Sequence, residues 1–334
     1  MKILYIFRNI ALGYSMHKVF QPIIEEVAVE NDVDTLELPC AGYKPHHLLK
    51  NIMFARKKIA NSNYDIVHIT GTEHYLLPFI GSKNSVVTVH DFNRFTQFNL
   101  GRLRSILYKL VFISTLKKAK AVTFISDKVK EDASKLVTLH NVCVINDCFS
   151  PNISFVEKKI SNPPVVLQIG TKQNKNLIRT IEALSCLNIV LRIIGRIPNN
   201  VKDILDHSGI NYENAMNLTD QEIEEEYRKC DIVSFPSLYE GFGMPIIEGQ
   251  ATGRIVVTSS ITPMKDIAGN GAILVDPYNI SSIRDGFKEA INQPSELVQL
   301  GLENSKRFKA SAIANEYMQL YESLCNHSKI KCNG

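Results

Sequence analysis

The sequence predicts a two-domain α/β protein in which each domain is a parallel sheet with helices on both faces. In the first half, short β-branched runs alternate with helical stretches, and the second half repeats this alternation. The chain has 334 residues and is 45% hydrophobic, which is enough to form two cores of ordinary size. Both halves are therefore expected to be Rossmann-like.

The candidate strands follow one another with helix-length segments between them. In the first half they are KILYIF, VDTLEL, IVHIT, VVTVH, AVTFIS and VCVIN. In the second half they are VVLQIG, VLRII, a weaker AMNL, IVSFP, IVVTS and AILVD. Two α/β halves of this kind are expected to leave a ligand-binding cleft between them.

Composition also suggests the domain boundaries. Phe149 to Pro164 contains SPN and NPP with little apolar periodicity, which indicates a linker. We therefore assign residues 1–150 to the first domain, 151–164 to the linker and 165–309 to the second domain. Residues 310–334 are interpreted as an amphipathic helix and a tail. The apolar positions on one side of that helix are Ile313, Tyr317, Leu320, Tyr321 and Leu324.

Charge and cysteine content limit the classes of function. The net charge of +4 and the pI near 8.5 permit anionic substrates or a membrane surface without demanding nucleic acid. Seven cysteines without a CxxC spacing indicate reduced thiols. The opening MKILYIF lacks a signal-peptide pattern, and no apolar run approaches the ~18 residues that span a bilayer. These features predict a soluble, cytoplasmic protein.

The stretch PSLYEGFGMPIIE, residues 236–248, contains two carboxylates, a glycine-rich loop and the start of a helix. It follows a candidate strand, and Pro245 suits the first turn of a helix, so the loop amides should converge on a helix N-terminus and form an anion site. The expected donors are the amides of Gly241, Phe242, Gly243 and Met244. Glu240 and Glu248 flank this site and would accept hydrogen bonds from neutral hydroxyls. A ligand that carries both phosphate and hydroxyl groups fits.

Seven residues separate the two glutamates, and this spacing resembles the signature of GT-B fold retaining glycosyltransferases of family GT4. The resemblance implies that the loop amides and Glu240 hold the donor sugar, and that Glu248, in the first turn of the helix, holds the nucleotide ribose. It extends from Met1 to the last helix, and it implies two Rossmann-like domains facing a central cleft, with that helix crossing back to the N-terminal domain. The alternative is a glycine-rich turn whose glutamate favours a helix N-terminus.

The segment IGTKQNKNL, Ile169 to Leu177, resembles a second motif of this family, in which a Lys-Asn pair opens a helix. Lys175 would neutralise the diphosphate as negative charge builds on it during departure. The alternative is a solvated lysine at a helix start, which is mildly unfavourable against the dipole. The resemblance implies further donor contacts from Gly170, Thr171, Asn176, Gly195, Arg196 and Leu218.

The acceptor side is expected in the first half. His90 and Asp91 end the strand VVTVH and resemble the family's His-Asp pair, in which the histidine contacts the donor sugar. The loop after the first strand corresponds to the family's acceptor-side loop and contributes Gly13 and Tyr14. Ser126 matches a common family serine, although it also suits the cap of the next helix.

Residues 92–120 form a basic stretch, with seven Lys or Arg, no acidic residue and interleaved aromatic and aliphatic side chains. Such a stretch attracts anionic head groups, and a lipid-linked acceptor would lie at that interface. A core-packed helix with a solvated charged face is an equal alternative. Nucleic acid is disfavoured because no recognition motif accompanies the charge.

The sequence shows no fingerprint of metal or cofactor chemistry. Asp32 and Asp34 spell DxD, but they lie far from the donor motifs in sequence, and we interpret them as part of a turn. The chain has no P-loop and no GxGxxG after Phe7, so ATP-dependent phosphoryl transfer and nicotinamide chemistry lack their motifs. No metal site and no cofactor is predicted.

Together with these features, the resemblance to family GT4 implies a retaining, metal-independent glycosyltransferase. It would move a sugar from a nucleotide-diphosphate donor to a hydroxyl of a glycan or lipid-linked acceptor, in cell-surface polysaccharide synthesis. Lys175 would stabilise the leaving diphosphate while Glu240 and His90 orient the sugar. The enzyme would act in the cytoplasm, with peripheral contact at an anionic membrane. The alternatives are a GT-B sugar-nucleotide epimerase and a non-catalytic nucleotide-sugar-binding subunit.

Overall fold

A computed structural model of the chain describes residues 1–81, 84–92, 109–292 and 295–326. These residues divide into two compact units. Unit 1 combines Met1–Cys148 with the segment that begins at Ala310, and unit 2 is Phe149–Lys309. Each unit contains one parallel sheet flanked by helices, as the alternation of strand and helix patterns predicts.

The sheet of unit 1 has the strand order β2-β1-β3-β4-β5-β6. Its strands are β1 (Lys2–Phe7), β2 (Asp32–Glu37), β3 (Ile66–Ile69), β4 (Ser85–Val89), β5 (Ala121–Phe124) and β6 (Val142–Val144). The helices that accompany them are α1 (Ser15–Val27), α2 (Pro45–Ala60), α3 (Leu77–Ile80) and α4 (Asp127–Ser134). The central strands are almost entirely buried, which explains why they are predominantly apolar in the sequence.

The sheet of unit 2 has the strand order β12-β11-β10-β7-β8-β9. Its strands are β7 (Val165–Ile169), β8 (Val190–Ile194), β9 (Asn211–Ala215), β10 (Ile232–Phe235), β11 (Ile255–Ser259) and β12 (Ile273–Val275). Its helices are α5 (Leu177–Leu184), α6 (Asn199–Ser208), α7 (Asp220–Lys229), α8 (Met244–Thr252), α9 (Met264–Ala268), α10 (Ile280–Ile291) and α11 (Ser295–Ser305). The final helix, α12 (Ala310–Cys325), belongs to unit 1.

Both sheets contain a point at which the order of strands reverses. In unit 1 this topological switch lies between β1 and β3, and in unit 2 it lies between β7 and β10. Ligands of such sheets bind in the crevice outside the carboxyl ends of the strands at the switch. The switch therefore singles out the loops after β1 and β3 in unit 1, and the loops after β7 and β10 in unit 2.

Helix α12 packs into the core of unit 1 with the apolar side that the sequence predicts. Ile313, Tyr317, Leu320 and Tyr321 are buried in one cluster with Phe20 and other residues of α1. The two tyrosines also make polar contacts with the sheet. Tyr321 Oη lies 2.6 Å from His68 Nδ1 and donates to Tyr5 Oη at 3.1 Å. This docking brings the end of the chain back to the first sheet.

His68 is the centre of a buried hydrogen-bond chain beneath α12. Its Nε2 lies 2.8 Å from Thr88 Oγ1, and that hydroxyl lies 2.9 Å from Tyr317 Oη. The side chain is fully buried, and burial lowers the pKa of His68 to about 3, with a smaller contribution from the charge on His90. The folded protein therefore holds His68 as neutral imidazole.

We expect this neutral histidine to make unit 1 less stable in mild acid. The unfolded chain takes up a proton below the ordinary histidine pKa of 6.5, whereas folded His68 stays neutral until about pH 3. Its stabilisation is therefore complete above pH 6.5 and is lost as pH falls towards 3, by about 2 kcal/mol between pH 6.5 and pH 5. Urea unfolding at several pH values should show that His68→Gln removes this part of the slope. The exposed His140→Gln is the matched control, and an equal slope in all three proteins would contradict the prediction.

Three sequence-based expectations need correction. The strand expected at AMNL is β9 at Asn211–Ala215, which was missed because it is an edge strand with exposed polar residues. Asp32 and Asp34 lie in edge strand β2 rather than in a turn, and Asp34 accepts a hydrogen bond from Tyr64 at 2.5 Å. The third is the expectation of reduced thiols throughout, because Cys143 is disulfide-bonded. An odd cysteine count and a missing CxxC motif do not show which thiols the fold brings together.

Most of the basic stretch at 92–120 lies outside the described residues, including Arg102 and Arg104. At its C-terminal end, Lys109–Ile113 forms a π-helical turn in which Phe112 and Ile113 are buried and Leu110 is exposed. Of the helices that the structure describes, none combines the length and the apolar character needed to cross a membrane.

Candidate active site

The switch point of unit 2 brings together Lys175 and Glu240, which are far apart in sequence. Lys175 Nζ lies 2.7 Å from Glu240 Oε1, and Asn174 Nδ2 donates to the same oxygen at 3.1 Å. Both charged side chains are mostly buried, with 19% and 15% of their surfaces exposed. The Lys175 ammonium also lies 4.5 Å from the centre of the Phe235 ring, which is a cation–π contact. Two of the predicted donor-site residues thus form one partly desolvated ion pair.

Local backbone geometry places Lys175 at this position. Gly170 directly follows β7 with φ of +90°, and a Cβ atom there would lie 3.1 Å from Lys175 Cγ. Glycine therefore permits both the left-handed backbone and the close passage of the lysine stem. Asn176 has φ of +59° and caps α5, and its buried amide donates to the carbonyls of Pro236 and Pro277. The predicted Lys-Asn pair thus places a cation beside Glu240 and an asparagine that ties three loops together.

A buried polar pair supports the loop from below. Gln168 on β7 donates from Nε2 to the carbonyl of Lys175 at 3.1 Å. Ser234 on the neighbouring β10 donates to Gln168 Oε1 at 2.7 Å. Both side chains are fully buried, so their hydrogen bonds are made in a low-dielectric environment where breaking them is costly. Through these two hydrogen bonds, Gln168 and Ser234 hold the backbone at Lys175 in a fixed position relative to the sheet.

Helix α8 begins directly after the glycine-rich loop, as predicted. Its N-cap is Gly243, with φ of +140°, where a Cβ would lie 3.0 Å from Ile246 Cδ1, and Pro245 stands in the first turn. The first N–H groups of any α-helix have no partner within the helix, so they are donors for an anion. The loop and helix therefore have the geometry of a phosphate site beside Glu240. Contact of the Gly241, Phe242, Gly243 and Met244 amides with a donor stays a prediction.

Glu248 lies one turn further along α8 than the sequence reading placed it. It is the fifth residue of the helix, because α8 begins at Met244. Its side chain is buried, and Glu248 Oε2 accepts a hydrogen bond from Tyr227 Oη at 2.6 Å. Burial, together with this carboxylate, raises the pKa of Tyr227 well above its ordinary value, so the phenol remains a donor. The carboxylate is held in a fixed orientation by a residue that the motif does not contain.

The remaining donor candidates lie on the loops after β7, β8 and β9. Thr171 Oγ1 donates to the carbonyl of Arg196 at 2.5 Å, and Gly195 has φ of +130°. The Arg196 side chain is exposed, and Leu218 is half-buried. Thr171 and Asn176 also line a cavity of about 670 Å³ beside α5 and α6. The structure thus joins Thr171, Gly195 and Arg196 in one cluster and places Leu218 on a separate loop.

In unit 1, His90 follows β4 and is nine-tenths buried. Its Nε2 lies 3.0 Å from the carbonyl of Thr70, to which Nε2–H donates, and its Nδ1 lies 3.7 Å from Asp147 Oδ1. Burial disfavours the charged imidazolium, but the Asp147 carboxylate, the Thr70 carbonyl and Asp91 outweigh it and raise the pKa of His90. Asp147 is buried and was not recognised in the sequence. The pair is a histidine oriented by a carboxylate.

The other acceptor-side candidates have structural partners. Ser126 caps α4 by accepting a hydrogen bond from the Val129 amide, which is the capping role considered from the sequence. Gly13 has φ of +117°, and its carbonyl accepts from the Arg8 guanidinium at 3.2 Å. Tyr14 is exposed and stacks on His17 at 5.6 Å. Asp91 lies on the exposed surface next to His90.

Across the described residues, no group of three or more His, Cys, Asp or Glu side chains lies close enough to share a metal ion. In the unit 2 site, Lys175 and Asn174 place a cation and an amide donor at Glu240 Oε1. Asn174 was also missed in the sequence, although it stands next to the lysine. The arrangement suits a ligand that is anionic at one end and rich in hydroxyl groups at the other.

Comparison with known proteins identifies the family. Residues 149–312, which include the whole unit 2 site, match the model of glycosyl transferases group 1. Over 238 residues the chain is 24% identical to the O-antigen chain mannosyltransferase RfbU of Salmonella typhimurium. The matched region, which spans unit 2 and the start of α12, is a group 1 glycosyltransferase domain. The match with RfbU covers 68% of this chain and 65% of that relative, so it spans just under two thirds of the relative's length.

Solved structures of glycosyltransferases share the fold of this chain. Sucrose-phosphate synthase from Thermosynechococcus elongatus superposes with a TM-score of 0.79 at 17% identity, covering 98% of this chain and all of that one. Anabaena HepE, solved in complex with UDP-glucose, superposes with a TM-score of 0.75 at 16% identity, covering 97% of this chain and all of HepE. At these identities the likeness concerns the fold, and it confirms the GT-B fold class.

Proposed function

We propose that this protein is a retaining, metal-independent glycosyltransferase of cell-surface polysaccharide synthesis. It transfers a sugar from a nucleotide-diphosphate donor to a hydroxyl of a glycan or lipid-linked acceptor. Mannose is the first sugar to consider, because the relative RfbU is named as an O-antigen chain mannosyltransferase. The proposal also draws on HepE, whose structure was solved with a nucleotide sugar.

The ion pair between Lys175 and Glu240 is the observation that carries the proposal. Oxygen Oε1 of Glu240 accepts from both Lys175 and Asn174, so Oε2 is left for a sugar hydroxyl, with no bond to it from the described residues. The Lys175 ammonium lies over the Phe235 ring, and the same ring lies beside Gly243, the N-cap of α8, where phosphate oxygens would bind. When a diphosphate arrives, Lys175 can interact with it while Asn174 continues to hold Glu240.

In the proposed transfer, the protein acts mainly by stabilising charge and forms no covalent bond to the sugar. As the bond between the sugar and the diphosphate breaks, negative charge grows on the leaving oxygens, and Lys175 and the helix amides stabilise it. For retention, the acceptor hydroxyl attacks from the face that the diphosphate leaves. The departing phosphate takes the proton of that hydroxyl. In this scheme Glu240 orients the sugar, and a role for His90 at the donor sugar stays a prediction.

A donor screen with purified protein tests the proposal. GDP-mannose, UDP-glucose and other nucleotide sugars are incubated with polysaccharide or lipid-linked fragments, and the products are identified by mass spectrometry and NMR. Transfer with an α-linked product from an α-linked donor supports a retaining transferase. A changed nucleotide sugar without an acceptor would instead identify an epimerase, and tight donor binding without any product would identify a binding subunit.

We expect transfer to continue in excess chelator. The charge that stabilises the leaving diphosphate comes from Lys175 and the helix amides, so the reaction does not need a bound divalent ion for this purpose. The initial rate is measured with EDTA and again after magnesium or manganese is added. Loss of activity in EDTA with recovery on adding either ion would refute metal independence.

Peripheral contact of residues 92–120 with an anionic membrane remains a proposal. Most of these residues lie outside the described part of the chain. Cosedimentation of the purified protein with anionic liposomes measures whether the protein binds such a membrane.

A further inference from the structure

Unit 1 has a topological switch point of its own, and a buried carboxylate lies at it. The loops that follow β1 and β3 there, one beginning at Arg8 and the other at residues 70–73, are where the ligands of such sheets bind, in a crevice outside the strand ends. Glu73 ends the second loop, and only 2% of its surface is exposed. In unit 2 the equivalent pair of loops carries Lys175 and Glu240.

The two oxygens of Glu73 have different surroundings. Oε1 accepts from Thr72 Oγ1 at 3.1 Å and from Tyr43 Oη at 3.4 Å. Oε2 is buried and has no hydrogen-bond partner in the part of the chain that the structure describes. A buried carboxylate oxygen without a hydrogen-bond donor costs free energy. We therefore expect a molecule outside the described chain to donate a hydrogen bond to this atom.

The space next to Oε2 is lined by a glycine and a flexible side chain. A Cβ atom on Gly71 would lie 3.4 Å from Glu73 Oε2 and 3.5 Å from Met16 Sδ. Glycine therefore leaves a methyl-sized space beside the oxygen, and the partly exposed Met16 borders it. Methionine side chains adapt readily to a bound molecule. Burial raises the pKa of Glu73, and the Arg8 guanidinium partly opposes this shift.

We propose that Glu73 is the residue that binds a sugar hydroxyl of the acceptor, through its unpartnered Oε2 in the switch-point crevice of unit 1. This inference rests on the proposed transferase function and names the acceptor-binding residue that the sequence motifs do not include. A carboxylate accepts hydrogen bonds from hydroxyl groups, and a neighbouring guanidinium disfavours a metal cation as the occupant.

Two variants test the proposal separately, one by changing the Glu73 carboxylate and the other by filling the space beside it. Glu73→Gln keeps an oxygen for Thr72 and Tyr43 but replaces Oε2 by an NH₂ group, which cannot accept. Gly71→Ala keeps the carboxylate and fills the space beside it with a methyl group. The exposed Glu131→Gln in α4 is the matched control for loss of a carboxylate in the same unit.

The probes are methyl glycosides of mannose, glucose, galactose and N-acetylglucosamine, titrated by ligand-observed NMR. We expect at least one to bind the wild-type protein and its affinity to fall by roughly ten- to a hundredfold in Glu73→Gln, as for loss of one charged hydrogen bond. Gly71→Ala should also weaken binding, whereas Glu131→Gln should not. Thermal unfolding establishes that each variant is folded.

Binding of GDP and UDP is measured in parallel, because it tests the proposed function separately. Nucleotide binding without any glycoside binding would overturn the role of Glu73 and leave the transferase proposal in place. Glycoside binding that depends on Glu73, without nucleotide binding, would support the inference and count against the transferase. Equal glycoside affinity in wild type and Glu73→Gln would mean that water or another group satisfies Oε2, and the proposal would fall.

Discussion

Replacing Lys175 by methionine should lower kcat by about 10²- to 10³-fold, the usual loss when one group that stabilises transition-state charge is removed. Methionine keeps most of the stem that passes Gly170 but removes the ammonium group that lies 2.7 Å from Glu240. Because the charge on the diphosphate grows as the bond breaks, the loss should appear in kcat more than in the donor KM. Steady-state kinetics with varied donor measure both parameters.

The exposed Lys202 on α6 provides the control, since Lys202→Met changes the charge of unit 2 equally without touching the site. The double variant of Lys175→Met with Glu240→Gln completes a double-mutant cycle. The cycle measures the coupling free energy between the two side chains. A kcat within twofold of wild type in Lys175→Met would mean that the lysine is a structural partner of Glu240 and has no part in the reaction.

The two glutamates of the motif should give different kinetic signatures. Glu240→Gln is expected to lower kcat by about a hundredfold, because in the proposed mechanism Glu240 would contact the part of the donor that changes in the transition state. Glu248→Gln is expected to act mainly on donor binding, raising the donor KM roughly ten- to a hundredfold, as for loss of one charged hydrogen bond. The ribose that Glu248 would hold does not react.

Tyr227 supplies a control that only the structure reveals. Tyr227→Phe removes the phenol that donates to Glu248 but keeps the carboxylate. If Glu248 is a donor ligand, Tyr227→Phe should reduce stability with a smaller change in donor KM than Glu248→Gln. If both variants lower stability equally and neither changes the donor KM, Glu248 is a structural residue and its assignment to the ribose is wrong.

The apolar pattern accounts for most of the fold prediction. The central strands are buried on both faces, so they are predominantly apolar, and a single sequence shows this directly. The edge strands β2 and β9 carry polar, exposed residues and lack this signal. For this reason the strand at Asn211–Ala215 was placed too late and the DxD segment was taken for a turn.

Part of the candidate site could be predicted for a local reason. Glycines at a strand end and a proline at a helix start act on the adjacent backbone, so EGFGMP predicts a loop followed by a helix without reference to the rest of the chain. Buried polar side chains such as Gln168 and Ser234 interrupt apolar runs without a recognisable pattern. Their role depends on which strand lies next to which.

The sequence by itself determined that this protein has two parallel α/β units and a group of donor-site motifs, because periodicity and turn chemistry act over a few residues. The tertiary structure decided which distant groups meet. The strand order puts Lys175 beside Glu240, Tyr227 beside Glu248, Asp147 beside His90, and leaves Glu73 Oε2 without a partner among the described residues. The physical reason is that these contacts are set by sheet topology and packing, which depend on the whole chain at once.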